Sequence, residues 1–508
     1  MSVFLGIDIG TSGTKAVVID PQGNVRGEAL QEYPCYTPRP LWSEQNPEHW
    51  WQATLETIRQ AVAGAGVEPA EVRGIGLSGQ MHGSVFLDRE HQVIRPAILW
   101  NDQRTAEECA EIEQRAGGRE ALIKLVANPA LTGFTAPKIL WLRKHEPEHY
   151  ARVQHVLLPK DYIRFRLTGE LATDVSDASG TLLLDVARRT WSRELLQRLE
   201  LPPEWFPRCY ESHEVTGTLR PEVAAELGLR PETPVVAGAG DCAAGAVGNG
   251  IVRSGVLSTS IGTSGVMFVH CDQVVIDPRG RVHTFCHAVA GKWHMMGVNL
   301  CAGGSLQWFR NQLCQALAAE CRGSGTDPYQ LLGAEAAQVP PGAQGLVFLP
   351  YLSGERTPHA DPQARGAFVG LTLAHTRGHL VRAIMEGVTF ALRDSLEILR
   401  RLDVPVEEIR VSGGGSKSPL WRQIQADVFG QDVVRLAAEQ GPAYGVALLA
   451  AVGCGQYDSI EQACDATIQV AEHIRHDPQA AAVYNRVFAT YRALYPSLKE
   501  HFAALGGG

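Results

Sequence analysis

Two aspartates stand where phosphate and proton chemistry could be done. Asp8 interrupts the apolar run "FLGIDIG" and is followed at once by Gly10-Thr11-Ser12-Gly13-Thr14-Lys15, while Asp241 follows "PVVAGAG" and opens the small-residue stretch "DCAAGAVG". In the turn after Asp8, glycines let backbone N–H groups point outward beside the hydroxyls of Thr11 and Ser12, which makes a nest for phosphate oxygens. The pentapeptide Ile-Gly-Thr-Ser-Gly returns at 261–265, bringing Gly262 and Thr263. One such turn by itself reads as an ordinary polar hairpin. Two copies, each between apolar strands, suggest a shared grip on one polyphosphate. The P-loop pattern is absent, because Lys15 follows Thr14 and opens a strand, so the nucleotide site belongs to another class.

The two carboxylates suit different tasks. An aspartate of reference pKa about 3.9 is far too weak to deprotonate an alcohol outright, so Asp241 would act late, as the oxygen bonds to phosphorus. General-base help of this kind is worth about 10² to 10⁴ in rate, and the remainder must come from positioning and charge neutralisation. Asp8, beside the first turn, suits Mg²⁺ that bridges phosphate oxygens. A rival reading of the same stretch is a dinucleotide fingerprint, Gly238-x-Gly240-x-x-Ala243. It fails because no Asp or Glu occurs between Asp241 and Asp272, where the ribose would need one.

These residues need strands and turns to hold them. Residues 3–8 and 15–20 read as apolar strands, "DPQGNV" turns the chain into a third, a helix runs from Pro47, and "VRGIGLSG" at 72–79 returns as a buried strand. The βββαβ pattern recurs from 256 with "VLSTSIG", "VMFVH", "WHMMGVNL" and a helix expected over 305–318. "IRVSGGG" at 409–415, then a helix from Pro419, adds a further strand-to-helix unit. Similarity at this separation suggests two related domains facing one another across a cleft, with a boundary in "GAVGNGIVRSG" and halves of 1–248 and 249–508.

At 508 residues the chain is too long for one ordinary core, and 45% hydrophobic and 20% charged residues are normal globular usage. A net charge of -9 provides no footprint for nucleic acid. Eleven cysteines without a CxxC point to reduced thiols and a cytoplasmic setting. No signal peptide and no membrane span is expected. His283, Cys286, His287 and His294 invite a zinc reading, which lacks a second pair at the required spacing. Pro34, Pro38 and Pro40 read as a loop beside the site in preference to a PxxP ligand.

"GFTAPKILWLRKH" at 133–145, "FLPYLSGERTPH" at 348–359 and "GGGSKSPLWRQIQADVFG" at 413–430 resemble the signature regions of the FGGY family of carbohydrate kinases, and the resemblance runs nearly end to end. "PLWSEQNPEHWW", "SGQMHG" at 78–83 and "LWNDQR" at 99–104 are similar to the members that act on xylulose and unlike those that act on glycerol. The resemblance implies an α/β fold, a duplicated actin-like, ribonuclease H-like ATPase with ATP and sugar in the interdomain cleft. It implies D-xylulose as acceptor and Mg²⁺ as cofactor, with another ketose or polyol such as ribulose as the near rival and a chaperone-type ATPase as the remote one. Asp241 would be the base, Met81 and His82 would touch the sugar, and Asp8 would lie near magnesium and phosphates. The nucleotide would meet Gly262, Thr263, Gly414 and Gly415, with Trp308 and Ser418 beside the adenosine. Many relatives read Asp-Asn where this chain reads Asp241-Cys242, so Asn101 or water is expected to supply the missing hydrogen bond. A homodimer is the base-rate expectation for such an enzyme.

Overall fold

The computed structural model describes residues 2–317, 321, 325–438 and 440–505. In chain order, the elements that matter in its first half are strands β1 (Val3–Ile9), β2 (Gly13–Ile19) and β3 (Val25–Glu32), helix α1 (Pro47–Ala65) and strand β4 (Val72–Gly79). Helices α2 (Pro159–Thr168) and α3 (Val175–Ser179) follow, then strands β5 (Val215–Thr218), β6 (Pro234–Val236) and β7 (Ala239–Gly240) and helix α4 (Asp241–Gly248). The second half contributes β8 (Gly255–Ile261), β9 (Gly265–Cys271), β10 (Trp293–Asn299), helices α5 (Gly303–Leu313) and α6 (Arg377–Arg401), β11 (Val406–Ser412), α7 (Pro419–Phe429), β12 (Val433–Leu436), α8 (Pro442–Gly453) and β13 (Val470–Ile474).

The strand-turn-strand reading of both repeats therefore holds to within a residue or two. The helix expected over 305–318 instead spans Gly303–Leu313, with Cys314 as its cap, and position 318 lies outside the described residues. Local chemistry accounts for the boundaries of α1: the Asn46 side chain accepts from Glu48 N–H, Pro47 occupies the first turn, and Gly66 ends the helix at φ 64°. Its inner face buries Trp50, Trp51, Leu55 and Ile58 in the core of the first sheet. Each such side chain contributes about 1.5–3 kcal/mol of burial.

The first sheet has the order β5-β6-β4-β1-β2-β3, with β7 also paired to β4. Strands β1, β2 and β3 form an antiparallel meander, β1 and β4 run parallel, and β4 and β6 run parallel. The second sheet contains the path β10-β9-β8-β11-β12-β13, in which β8 and β9 are antiparallel, β8 and β11 parallel, and β11 and β12 parallel. Even the outermost strands agree, since β5 and β13 each run antiparallel to their neighbour. One order used twice makes this a duplicated α/β architecture.

The chain divides into two compact units. The first comprises 1–253, 270–294 and 440–468, and the second 254–269, 295–439 and 469–508. This differs from a single cut at 248/249, because two later segments return to the first unit. For 440–468 the cause is a close backbone approach. A Cβ on Gly6 of β1 would lie 1.8 Å from Ala443 O, and one on Gly76 of β4 would lie 1.9 Å from Val446 O. Gly6 and Gly76 are register partners. Two adjacent glycines thus let α8 lie directly on the sheet, and α4 packs over α8, where a Cβ on Gly445 would lie 1.9 Å from Ala244 O. Among the described residues, no helix is long and apolar enough to cross a membrane.

Candidate active site

In the first unit Asp8 occupies the penultimate position of β1, opposite Lys15 of β2 and Ser78 of β4. Ser78 Oγ donates to Asp8 Oδ1 at 2.8 Å. The hairpin that follows is closed by Gly10 N–H donating to Gly13 O at 3.0 Å. Side chains from distant elements hold it in place. Tyr33 Oη donates to Gly10 O at 2.5 Å and Gln45 Nε2 to Thr11 O at 2.7 Å. Thr11 Oγ1 donates to Gln80 Oε1 at 3.2 Å and accepts from Trp100 Nε1 at 2.9 Å. Ser12, at the tip, is exposed.

Asp241 is the first residue of α4 and is half-buried; Cys242 N–H donates to its Oδ1 at 2.7 Å. Burial raises its carboxyl pKa, and hydrogen bonds from Cys242, thiol and backbone alike, oppose that. The Asp8 carboxyl is pushed up to about 7, first by burial and then by the charge of Asp241, against the bond from Ser78 and the attraction of Lys15. The two carboxylates therefore repel one another at one end of the sheet, as a site awaiting positive charge would. Among the described residues no group of three or more His, Cys, Asp and Glu side chains is arranged to hold a metal ion. Asp8, beside the turn at 10–13, nevertheless fits Mg²⁺, an ion that keeps several waters and needs only one or two carboxylates.

Met81, His82 and Asn101, the residues expected on the sugar side, stand in the same unit as the two carboxylates. Met81 is buried, and a Cβ on Gly240 would lie 2.9 Å from its Cγ, so the residue before Asp241 must be glycine for the two to meet. His82 has φ 70°, its Nδ1 lies 2.7 Å from Gly180 O, and its own carbonyl accepts from Thr135 Oγ1 at 3.0 Å and Lys138 Nζ at 2.8 Å. Asn101 lies in an exposed turn next to Trp100, which ties that turn to the first hairpin through Thr11.

In the second unit the repeated turn is held by backbone. Gly262 N–H donates to Ser264 O at 3.0 Å, Gly303 N–H donates to Gly262 O at 2.8 Å, and Thr263 O accepts from Ala302 N–H at 2.8 Å and Gly304 N–H at 3.1 Å. Gly262 and Thr263 thus sit exposed at the start of α5, whose outer face carries Trp308, 36% exposed. Gly413, at φ 77°, turns β11 into a short 3-10 turn containing Gly414 and Gly415. A Cβ on Gly415 would lie 2.7 Å from Ile261 Cβ, which fixes that turn beside the second hairpin. Ser418 caps α7 by accepting from Trp421 N–H at 3.3 Å. Gly262, Gly414 and Gly415 thus meet at Ile261, the end of β8, while Trp308 lies on α5 and Ser418 at the start of α7.

Sequence reading missed the supporting cast: Gln45, Gln80 and Trp100 around Thr11, Ser78 on Asp8, and the glycines at 180 and 303. Ser78, Gln80 and Trp100 lie inside the motifs "SGQMHG" and "LWNDQR", so the signal was present without a way to say which side chain faced which. In the cluster at His283, Cys286, His287 and His294, His283 stacks on Phe285 and His287 meets His294 edge-on, 5.7 Å apart between centroids. Burial first, then neighbouring histidines, push the His287 pKa well below its usual value.

Models of the FGGY family of carbohydrate kinases match this chain in both halves, the N-terminal domain over residues 3–248 and the C-terminal domain over 257–454. The chain is 42% identical over 506 residues to a xylulose kinase of Bacillus subtilis, covering 99% of each. It is 42% identical over 497 residues to a xylulose kinase of Escherichia coli, covering 98% of this chain and 99% of that protein. The crystal structure of a kinase from Brucella ovis, described as a xyloylose kinase, superposes with a TM-score of 0.90 at 39% identity, covering 98% of this chain and 99% of that one. The actin-like, ribonuclease H-like fold is shared with it. With both family domains matched in order and full-length relatives at this identity, the chain belongs to the FGGY family of carbohydrate kinases.

Proposed function

We propose that this kinase transfers the γ-phosphoryl group of ATP to the 5-hydroxyl of D-xylulose, giving D-xylulose 5-phosphate and ADP. The observation that carries the mechanism is the Asp8–Asp241 pair at one sheet end, where the turn at 10–13 follows Asp8 and Met81 packs against the glycine before Asp241. The substrate rests on the xylulose kinases it resembles over nearly their whole length.

Asp241 accepts the hydroxyl proton as the sugar oxygen bonds to phosphorus and the bond from γ-phosphorus to the bridging oxygen breaks, releasing ADP. Burial raises the affinity of Asp241 for that proton, which favours a late transfer. Backbone N–H groups of the first hairpin, with Thr11 and Ser12, orient the transferred phosphoryl group. Asp8 would hold Mg²⁺, which when bound neutralises charge developing on the phosphate oxygens. Met81 and His82 orient the sugar and keep the base dry. Gly262, Thr263, Gly414, Gly415, Trp308 and Ser418 hold the nucleotide, and Asn101 a sugar hydroxyl.

The test is ADP release from Mg-ATP across a panel of ketoses, polyols and sugar acids, with a no-sugar control. Stimulation by D-xylulose alone is expected. A second reading, with a sugar acid as acceptor, comes from a gluconate kinase structure of Lactobacillus acidophilus that superposes with a TM-score of 0.92 at 28% identity, and stimulation by gluconate would favour it. Asp241→Asn should lower kcat by about 10²–10⁴-fold while ATP still binds. Full activity in that variant removes Asp241 from the role of base.

A further inference from the structure

Behind Asp241 the first unit buries five acidic and basic side chains that the proposed mechanism does not use: Lys160, Asp161 and Arg164 on α2, Asp174 before α3, and Asp177 within it. All five are 1% exposed or less. Lys160 Nζ lies 2.6 Å from Asp161 Oδ1, 2.8 Å from Asp174 Oδ1 and 3.5 Å from Asp177 Oδ2. Arg164 Nη2 pairs with Asp161 Oδ1 at 2.6 Å and also donates to the Ala172 carbonyl. Such a cluster is a poor source of stability, because desolvating charges costs about as much as their pairing returns, and apolar residues of the same volume often do as well. What it supplies is direction, since every charge demands a partner at a set angle and distance.

The directed bonds converge on the segment that carries Asp241. Arg164 Nη1 donates to Ala237 O at 3.2 Å. Asp174 Oδ2 accepts from Ser176 Oγ at 2.5 Å and from Ser176 N–H at 2.7 Å, and Ser176 Oγ in turn accepts from Gly240 N–H at 3.2 Å. The backbone on both sides of the Gly238 turn, at φ 74°, is therefore clamped from one cluster. Burial works against the charge on Lys160, yet Asp161, Asp174 and Asp177 outweigh it and hold its pKa above the usual lysine value, whereas burial pushes the Asp177 carboxyl well above the usual carboxylate range.

We infer that Lys160, Asp174 and Ser176, with Arg164, form a positioning unit that sets where the Asp241 carboxylate stands relative to Met81 and the sugar hydroxyl. The inference rests on Asp241 being the base. None of the four touches substrate. Their effect passes through two backbone groups, Ala237 O and Gly240 N–H, into the first residue of α4. A misplacement of about 1 Å at a reacting group costs about 10²-fold in rate, so a slackened clamp is read in kcat.

Ser176→Ala removes the acceptor for Gly240 N–H and leaves the charges in place. It should lower kcat for sugar phosphorylation by about 10-fold or more, within the roughly 10²-fold that misplacement costs. The KM values for ATP and sugar should stay near those of the parent, and hydrogen exchange over 237–244 should quicken. Ser176→Cys, which keeps the size and a weak acceptor, should fall between the two, and it carries the test if the alanine variant does not fold. An unchanged kcat, or a loss shared by both KM values and the melting temperature, overturns the positioning role. Asp241→Asn separates the two ideas: an inactive Asn variant beside a fully active Ser176→Ala leaves the base standing and removes the clamp, whereas a fully active Asn variant removes the base reading itself.

Discussion

The two Ile-Gly-Thr-Ser-Gly hairpins have the same sequence and stand at the same place in two sheets of the same order, yet they are held differently and carry different charge. The first leaves Gly10, Thr11, Ser12 and Gly13 between the paired Ile9 and Thr14; the second is one residue tighter, since Ile261 pairs directly with Gly265. Where β1 has Asp8 before the turn, β8 has Ser260. Side chains of Tyr33, Gln45, Gln80 and Trp100 hold the first turn, and backbone N–H groups at the start of α5 hold the second. A duplicated scaffold has thus diverged into an acidic turn wired to Gln80 and Trp100 and a neutral turn wired to a helix start. Identical motif residues therefore do not imply identical roles, because the partners decide what each turn can bind.

The comparison breaks most sharply at the acid. Asp8→Ala should lower kcat by about 10²–10³-fold, the scale of losing a charge-stabilising group, whereas Ser260→Ala should leave kcat unchanged. Equal losses in steady-state assays would mean that the two turns share the metal and phosphate chemistry. Next comes Gly303→Ala, whose Cβ would lie 2.5 Å from Gly262 O and prise α5 off the second hairpin. Nucleotide binding by calorimetry should weaken by about 10-fold, matching one lost set of directed bonds, with sugar binding unaffected.

A smaller effect separates the turns by pH. The Asp8 carboxyl stands at about 7 in the folded chain against an ordinary 3.8, so the folded state keeps a proton that the unfolded state has lost. Stability in metal-free buffer should therefore fall as pH rises from about 4 to about 7, and be restored by Mg²⁺. Asp8→Asn should flatten that slope in thermal melts, and Ser260→Ala should not. Smallest is the Lys15–Glu28 pair beside the first turn, 2.8 Å apart but 46% and 62% exposed. Lys15→Ala should cost no more than about 0.5 kcal/mol in chemical denaturation.

The strand periods around both turns were legible because an apolar face repeats every second residue and the glycines mark where it stops. Gly415 and Ser418 lie where a strand gives way to a helix, a boundary the same pattern marks, but as nucleotide-side candidates they rest on the family resemblance. Gln45, Gln80 and Trp100 were not, since a polar side chain at the end of a strand carries no periodic signal, and its partner, Thr11, lies 34 to 89 residues away. The same holds for Lys160, which stands in "VLLPKDYIRF" like any solvent-facing lysine and is in fact fully buried against three carboxylates.

The sequence alone determined the duplicated βββαβ pattern, the two hairpins, the acid at Asp8 and the acid at Asp241, because each depends on residue type within a few neighbours. Only the tertiary structure decided that Asp241 lies close enough to raise the proton affinity of Asp8, that α8 returns to lie on Gly6 and Gly76, and that a buried cluster of acidic and basic side chains grips the backbone before Asp241. Those outcomes depend on which distant surfaces exclude water together, and no local period encodes that.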